Sequence, residues 1–163
     1  MPYDVALVCL NGHVVSSTLL RDEPEEHSAF CSDCGARTIT QCQRCREPIR
    51  GERESSEAEV LALSPEPFQR AAFCYACGGP YPWTEAAREA AVALVQDSVL
   101  DEREKEAFEQ ALPDLLADTP KTPAAIGRLR TLLRKMGLES GTLVRDVLKD
   151  VITAAAKAGL GIP

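Results

Sequence analysis

Apolar residues recur along this chain with two different rhythms, and the change falls near Trp83. Beyond it they return every three or four residues, the spacing that gives a helix one apolar face. Thr84-Glu85 places a capping hydroxyl and then an acid at a helix start, and Ala87, Ala91, Leu94 and Val95 follow as a packing stripe. A second helix is expected from Asp101 to about Leu112, ahead of Pro113, with Asp114 to Ala117 as a further short turn. Thr122-Pro123 opens a third through a hydroxyl cap and a proline at the first helical position. Ile126, Leu129, Leu132, Leu133 and Met136 turn its face to a core, and Gly137 ends it. A fourth, from Gly141 or Thr142 to Ala158, carries Leu143, Val147, Leu148, Val151 and Ile152 and stops at Gly159. Four short helices predict a bundle.

Before Trp83 the apolar stretches are short and broken by turn formers. Tyr3 to Val8 reads as a strand and Val14 to Leu19 as the strand returning from a tip at Asn11-Gly12. An acidic segment, 21–28, leads to Phe30, and Thr38-Ile39-Thr40 leads to another turn that Pro48-Ile49-Arg50-Gly51 leaves. A polar, proline-containing loop over 52–67 precedes Phe73 and a last turn that closes with Tyr81-Pro-Trp83. The expected organisation is therefore a small module over 1–83 and a helical domain over 84–163.

The turns of the first module carry the chemistry. Cys9/His13, Cys31/Cys34, Cys42/Cys45 and Cys74/Cys77 are four close pairs of metal-type ligands, and they use every cysteine in the chain. A Cys-x-x-Cys turn aims two sulfurs at one centre, and a tetrahedral zinc site needs two such turns. Gly35 and Gly78 follow two of these knuckles, supplying a residue that tolerates positive φ, whereas Arg46 follows the third. His27, in the acidic segment, is the substitute ligand for His13 and is read as exposed. Disulfides are disfavoured, because seven cysteines is an odd count and no secretory leader is visible.

Sequential pairing joins Cys9, His13, Cys31 and Cys34 at one site and Cys42, Cys45, Cys74 and Cys77 at the other. It needs the fewest long crossings, although interleaved and nested pairings use the same ligands. Either way the expectation is two structural zinc ions per chain. Metal binding also supplies folding energy to a module of this size with little aliphatic content.

The first module holds 7 Arg and no Lys against 12 acids, a balance of 7 − 12 = −5. Thiolate-bound zinc adds more negative charge, so general attraction to phosphate backbones is weak. Two local exceptions are candidate nucleic-acid contacts: Arg44, Arg46 and Arg50 around the third knuckle, and Arg128, Arg130, Arg134 and Lys135 in an acid-free stretch of the third helix. Arg134 and Lys135 equally suit a helix C-terminus. Enzyme signatures are absent: there is no His-Glu-x-x-His helix, phosphate loop or nucleophile elbow, and four-ligand zinc sites leave no open position. No apolar run is long enough for a membrane span, and reduced thiols fit a cytoplasmic location.

The run from Tyr3 to His13, Phe30-Cys-Ser-Asp-Cys-Gly35, Cys42-Gln-Arg-Cys45 with Pro48-Ile49-Arg50-Gly51, Cys74 to Gly78 with Tyr81-Pro-Trp83, and the Asp118-Thr-Pro120 segment together resemble a family of small bacterial proteins of unknown function. The resemblance implies a double zinc-ribbon protein with the eight ligands named above and no established reaction. The expectations are thus tandem metal-stabilised β ribbons followed by an all-α bundle, in a non-catalytic adaptor that binds another protein. A nucleic-acid-binding ribbon protein is the alternative, and redox chemistry with iron or reactive thiols is a third class.

Overall fold

The computed structural model describes residues 3–20, 28–53 and 68–162. The acidic segment with His27, and most of the polar loop expected over 52–67, lie outside the described residues. The chain divides into two compact units, Met1–Trp83 and Thr84–Pro163.

In the first unit, the strand expected over Tyr3 to Val8 is two. β1 (Tyr3–Val5) pairs antiparallel with β5 (Arg50–Arg53), and β2 (Leu7–Cys9) lies between β3 (Val14–Ser16) and β4 (Thr38–Ile39) in a three-stranded sheet of order β3-β2-β4. The chain changes partner at Ala6, whose N–H donates to the Ile49 carbonyl at 2.9 Å. Side-chain alternation alone cannot reveal such an exchange, because it does not alter which residues face the core. Ala6, Val8, Cys9 and Ile49 are fully buried there. Gly51 in β5 lies where a Cβ would run into the Ser17 carbonyl oxygen, so the backbones meet only because no side chain intervenes. β2 and β3 form the expected hairpin with the first ligand pair at its tip, though β3 stops at Ser16. Tyr81 and Trp83 stack at 4.6 Å and are each 2% exposed, so they form part of the interior and not a surface patch.

The second unit has five helices where four were expected. α1 (Pro82–Gln96) begins at Pro82, which puts Thr84 inside the first turn instead of at the cap. Its stripe buries Ala91 and Val95 and half-buries Ala87 and Leu94. α2 (Glu102–Leu116) starts with a complete capping box between Asp101 and Glu104, and it runs straight through Pro113. Pro113 faces solvent, where water can take the carbonyl it leaves unbonded, while Leu112, Leu115 and Leu116 on the buried side hold the helix together.

α3 (Thr122–Met136) packs against α2, α4 (Leu138–Leu148) and α5 (Ala154–Leu160) through Ala125, Leu129, Leu132, Leu133 and Met136, with Ile126 only half-buried. Thr122 does not cap it. Its buried hydroxyl accepts from the Thr119 N–H at 2.9 Å and reaches the Asp114 and Ala117 carbonyls at 2.8 and 3.2 Å, tying the end of α2 to the start of α3. The expected fourth helix is broken over 149–153. Val151 and Ile152 turn into the core, the Thr153 N–H donates to the Leu115 carbonyl at 3.0 Å, and the Thr153 hydroxyl starts α5 by accepting from Ala156. β-branched residues in sequence lower the cost of that break. The buried face of α4 is Gly141, Val144 and Leu148, and Leu143 is half exposed. Gly161, in a left-handed conformation, ends α5; Gly159 lies inside it, against Ile126. Among the described residues no helix is long and apolar enough to cross a membrane.

Candidate metal centres

The three Cys-x-x-Cys turns are built by one repeated hydrogen-bond pattern. The first cysteine's carbonyl accepts from the residue four positions on: Gly35, Arg46 and Gly78, at 2.8, 2.8 and 2.9 Å. Its N–H donates to the carbonyl five positions on: Ala36, Glu47 and Gly79, each at 2.8 Å. Isolated bridges Phe30↔Arg37, Gln41↔Pro48 and Phe73↔Pro80 then close each turn at its base. This geometry forces positive φ at the fourth position, and Gly35, Arg46 and Gly78 take 68°, 64° and 66°. Arg46 is the one non-glycine among the described residues with positive φ. The hairpin tip at Cys9 and His13 is a different turn, with Gly12 donating to the Cys9 carbonyl at 2.8 Å and the His13 N–H reaching Cys9 Sγ at 3.2 Å.

These turns bring the eight predicted ligands together as the sequential pairing requires. Cys9, His13, Cys31 and Cys34 form one group and Cys42, Cys45, Cys74 and Cys77 the other, with donor atoms in each group within 4.8 Å of one another. A tetrahedron with metal–sulfur bonds of about 2.3 Å has edges of about 3.8 Å, and one nitrogen ligand shortens an edge to about 3.5 Å. The corresponding edges are 3.7 Å for Cys9–Cys34, 3.5 Å for Cys31 Sγ to His13 Nδ1, 3.8 Å for Cys42–Cys77 and 3.6 Å for Cys45–Cys74. The three cysteine–cysteine edges are far longer than the roughly 2 Å of a disulfide, and all seven cysteines are free in the structure. The donor sets therefore fit a tetrahedral ion, and the two clusters could each hold one.

Within every pair the first ligand is buried and the second exposed, so each cluster lies at the edge of the module. The knuckle amides also set the ionisation of the thiols. The Ala36 N–H acts most strongly on Cys34 and holds it at about 6. Burial raises Cys74, but the Cys77 and Ala76 amides and the neighbouring thiols bring it down to about 6. The Glu47 amide is the largest influence on Cys45 and lowers it, yet burial and the thiols of Cys74, Cys77 and Cys42 together push it up to about 12. Burial raises Cys9. Each cluster thus has one thiol ready to meet a cation at neutral pH. Asn11, whose spacing in the sequence marks only a turn, points its Nδ2 at Cys34 Sγ from 3.5 Å, in the position of an outer-shell donor.

The basic candidates separate. Arg44 lies over Gly79, Arg46 is exposed, and Arg50 stacks on the Tyr75 ring at 3.5 Å with Tyr3 at 4.9 Å on its other contact. Tyr75 in turn donates to Glu47 at 2.6 Å. In the helical unit Lys135 pairs with Glu104 at 2.6 Å, and Arg128 lines a shallow cleft apart from Arg130 and Arg134.

A family model described as "Uncharacterized protein conserved in bacteria (DUF2321)" matches residues 2–160. The chain belongs to that family. The match runs through both metal clusters and all five helices, so the DUF2321 assignment covers the two units together. No curated protein and no solved structure matches the chain.

Proposed function

We propose that each cluster holds one structural zinc ion and that the protein is a non-catalytic, cytoplasmic adaptor that binds another protein. One observation carries the reading: both clusters offer four protein donors at tetrahedral spacing, which leaves no coordination position for a water or substrate. The mixed set of three thiols and an imidazole favours zinc over iron. Phe30 and Tyr75, at 63% and 44% exposure, put aromatic surface beside the second and fourth knuckles, as a protein-binding face requires.

Native mass spectrometry of protein purified without added metal tests the first part, and two zinc ions per chain is the expected mass. Replacing Cys42 and Cys45 together by serine should unfold the metal unit. A folded, metal-free double variant would overturn the structural role. The second reading, nucleic-acid binding, rests on Arg44, Arg46 and Arg50 being exposed on one small unit. It requires salt-sensitive DNA or RNA binding that weakens when these arginines become alanine, and no binding at low salt dismisses it.

A further inference from the structure

The α3–α4 turn borders an open cleft of about 410 Å³ whose charged lining, among the described residues, is Arg130, Arg134 and Arg145, with no acid. Arg130 and Arg134 are four residues apart and share a face of α3. The chain then reverses at Gly137, φ 89°, and α4 starts at once, which returns Arg145 to the same cleft. Among the described residues none of the three arginines makes an ion pair or a side-chain hydrogen bond, unlike their neighbour Lys135. Arg145 Nε is buried with no partner at all. Buried donors are nearly always satisfied, so an unpartnered buried Nε on one of three arginines that line a cleft points to a missing anion.

Two further features agree. Gly137 gives α4 no side-chain cap, and Gly137, Leu138 and Gly141 at the start of that helix line the same cleft, although Glu139 in the first turn offsets part of the positive helix end. The remaining walls are apolar: Leu133 and Leu160 are buried in its floor and Leu138, 86% exposed, stands at its rim.

We propose that this cleft binds a phosphorylated small molecule, with the phosphate held by Arg130, Arg134 and Arg145 and an apolar body laid on the leucines. Three cations match a phosphate monoester, which carries about −1.5 to −2 at neutral pH, better than a single carboxylate. The volume falls in the range of about 300–1,000 Å³ typical of small-molecule sites and far exceeds the space a lone phosphate fills.

The test uses the full, zinc-loaded chain and amide NMR titrations with phenyl phosphate, inorganic phosphate and a short single-stranded oligonucleotide. Expected are saturable shifts at Leu138 and Glu139 and at the arginine Nε–H signals, with phenyl phosphate tighter than inorganic phosphate. Arg145→Gln should weaken phenyl phosphate about tenfold to a hundredfold, the loss typical of a charge-assisted hydrogen bond, while Arg128→Gln leaves it unchanged. Without ligand, Arg145→Gln should unfold at the same temperature or higher, because it removes an unsatisfied donor; a purely structural arginine would lower it. Should that variant not fold, Arg134→Gln is expected to show the same loss. The proposal is overturned by the absence of saturable shifts, by equal losses in Arg145→Gln and Arg128→Gln, or by an oligonucleotide that binds more tightly than phenyl phosphate.

Discussion

Replacing Arg46 by glycine should tighten the second metal cluster, and the three knuckles provide the controls. Arg46 is held at φ 64° by the same hydrogen bonds that hold Gly35 and Gly78 near that value. A left-handed conformation costs a non-glycine residue roughly 1–2 kcal/mol. Glycine avoids this but loses roughly 0.5–1 kcal/mol more backbone entropy on folding. The difference is a gain of about 0.5–1 kcal/mol for Arg46→Gly, or about twofold to fivefold in an equilibrium constant. Under the proposed structural role, metal binding and knuckle folding are coupled, so the gain should appear as zinc affinity at the second cluster. The reverse change isolates the same quantity: nothing lies within 4 Å of a Cβ built on Gly35, so Gly35→Ala adds backbone strain without a clash. It should weaken the first cluster by a similar factor. Stepwise competition against a chromophoric chelator, with each variant compared to the parent, reads both numbers. If Arg46→Gly leaves affinity unchanged or lower while Gly35→Ala costs nothing, the strain argument is wrong.

Gly51→Ala should cost about 1–3 kcal/mol of stability in denaturant unfolding, because the new Cβ meets the Ser17 backbone and no side chain can move aside. Thr122→Val keeps the shape but removes a hydroxyl that serves Thr119, Asp114 and Ala117, and a loss of about 1–3 kcal/mol in the unfolding of the helical unit is expected. Metal affinity should fall with acid: Cys34 and Cys74, lowered to about 6, are mostly thiolate above that pH and are protonated as pH drops through it. Cys45, raised to about 12, gives up its proton only to an ion, so zinc titration calorimetry at pH 7 in two buffers of different ionisation enthalpy should show net proton release.

The metal clusters were legible in the sequence because their donors come in pairs whose spacing has one chemical purpose, and sequential pairing follows from short connections. The bundle was legible because its apolar stripes repeat at helical spacing. Where the reading departs from the structure, a competing interaction unseen in local pattern decides. Ala6 sends one apparent strand to two partners through a hydrogen bond to Ile49, a residue far along the chain. Pro113 does not end its helix, because the flanking leucines are buried and its own ring faces water. The stripe from Leu143 to Ile152 hides a break that Thr153 makes by bonding Leu115 in another helix. Arg145 was missed because the basic stretch ends at Lys135 in sequence, and only the reversal at Gly137 returns a third arginine to Arg130 and Arg134.

An ion held between two knuckles, as proposed, would also be a cross-link. Cys9 and Cys34 are 25 residues apart, and Cys42 and Cys77 are 35 apart. On the chain-entropy scale used for disulfides, closing loops of these sizes costs roughly 3.5 and 3.8 kcal/mol of chain freedom, which ion binding and folding together must offset. That quantity grows only with the logarithm of length, so doubling the chain between the staples costs only about 0.6 kcal/mol more. With the proposed ions in place, insertions between the third and fourth knuckles should cost little, whereas one residue added inside a knuckle would misplace a sulfur and release the cross-link.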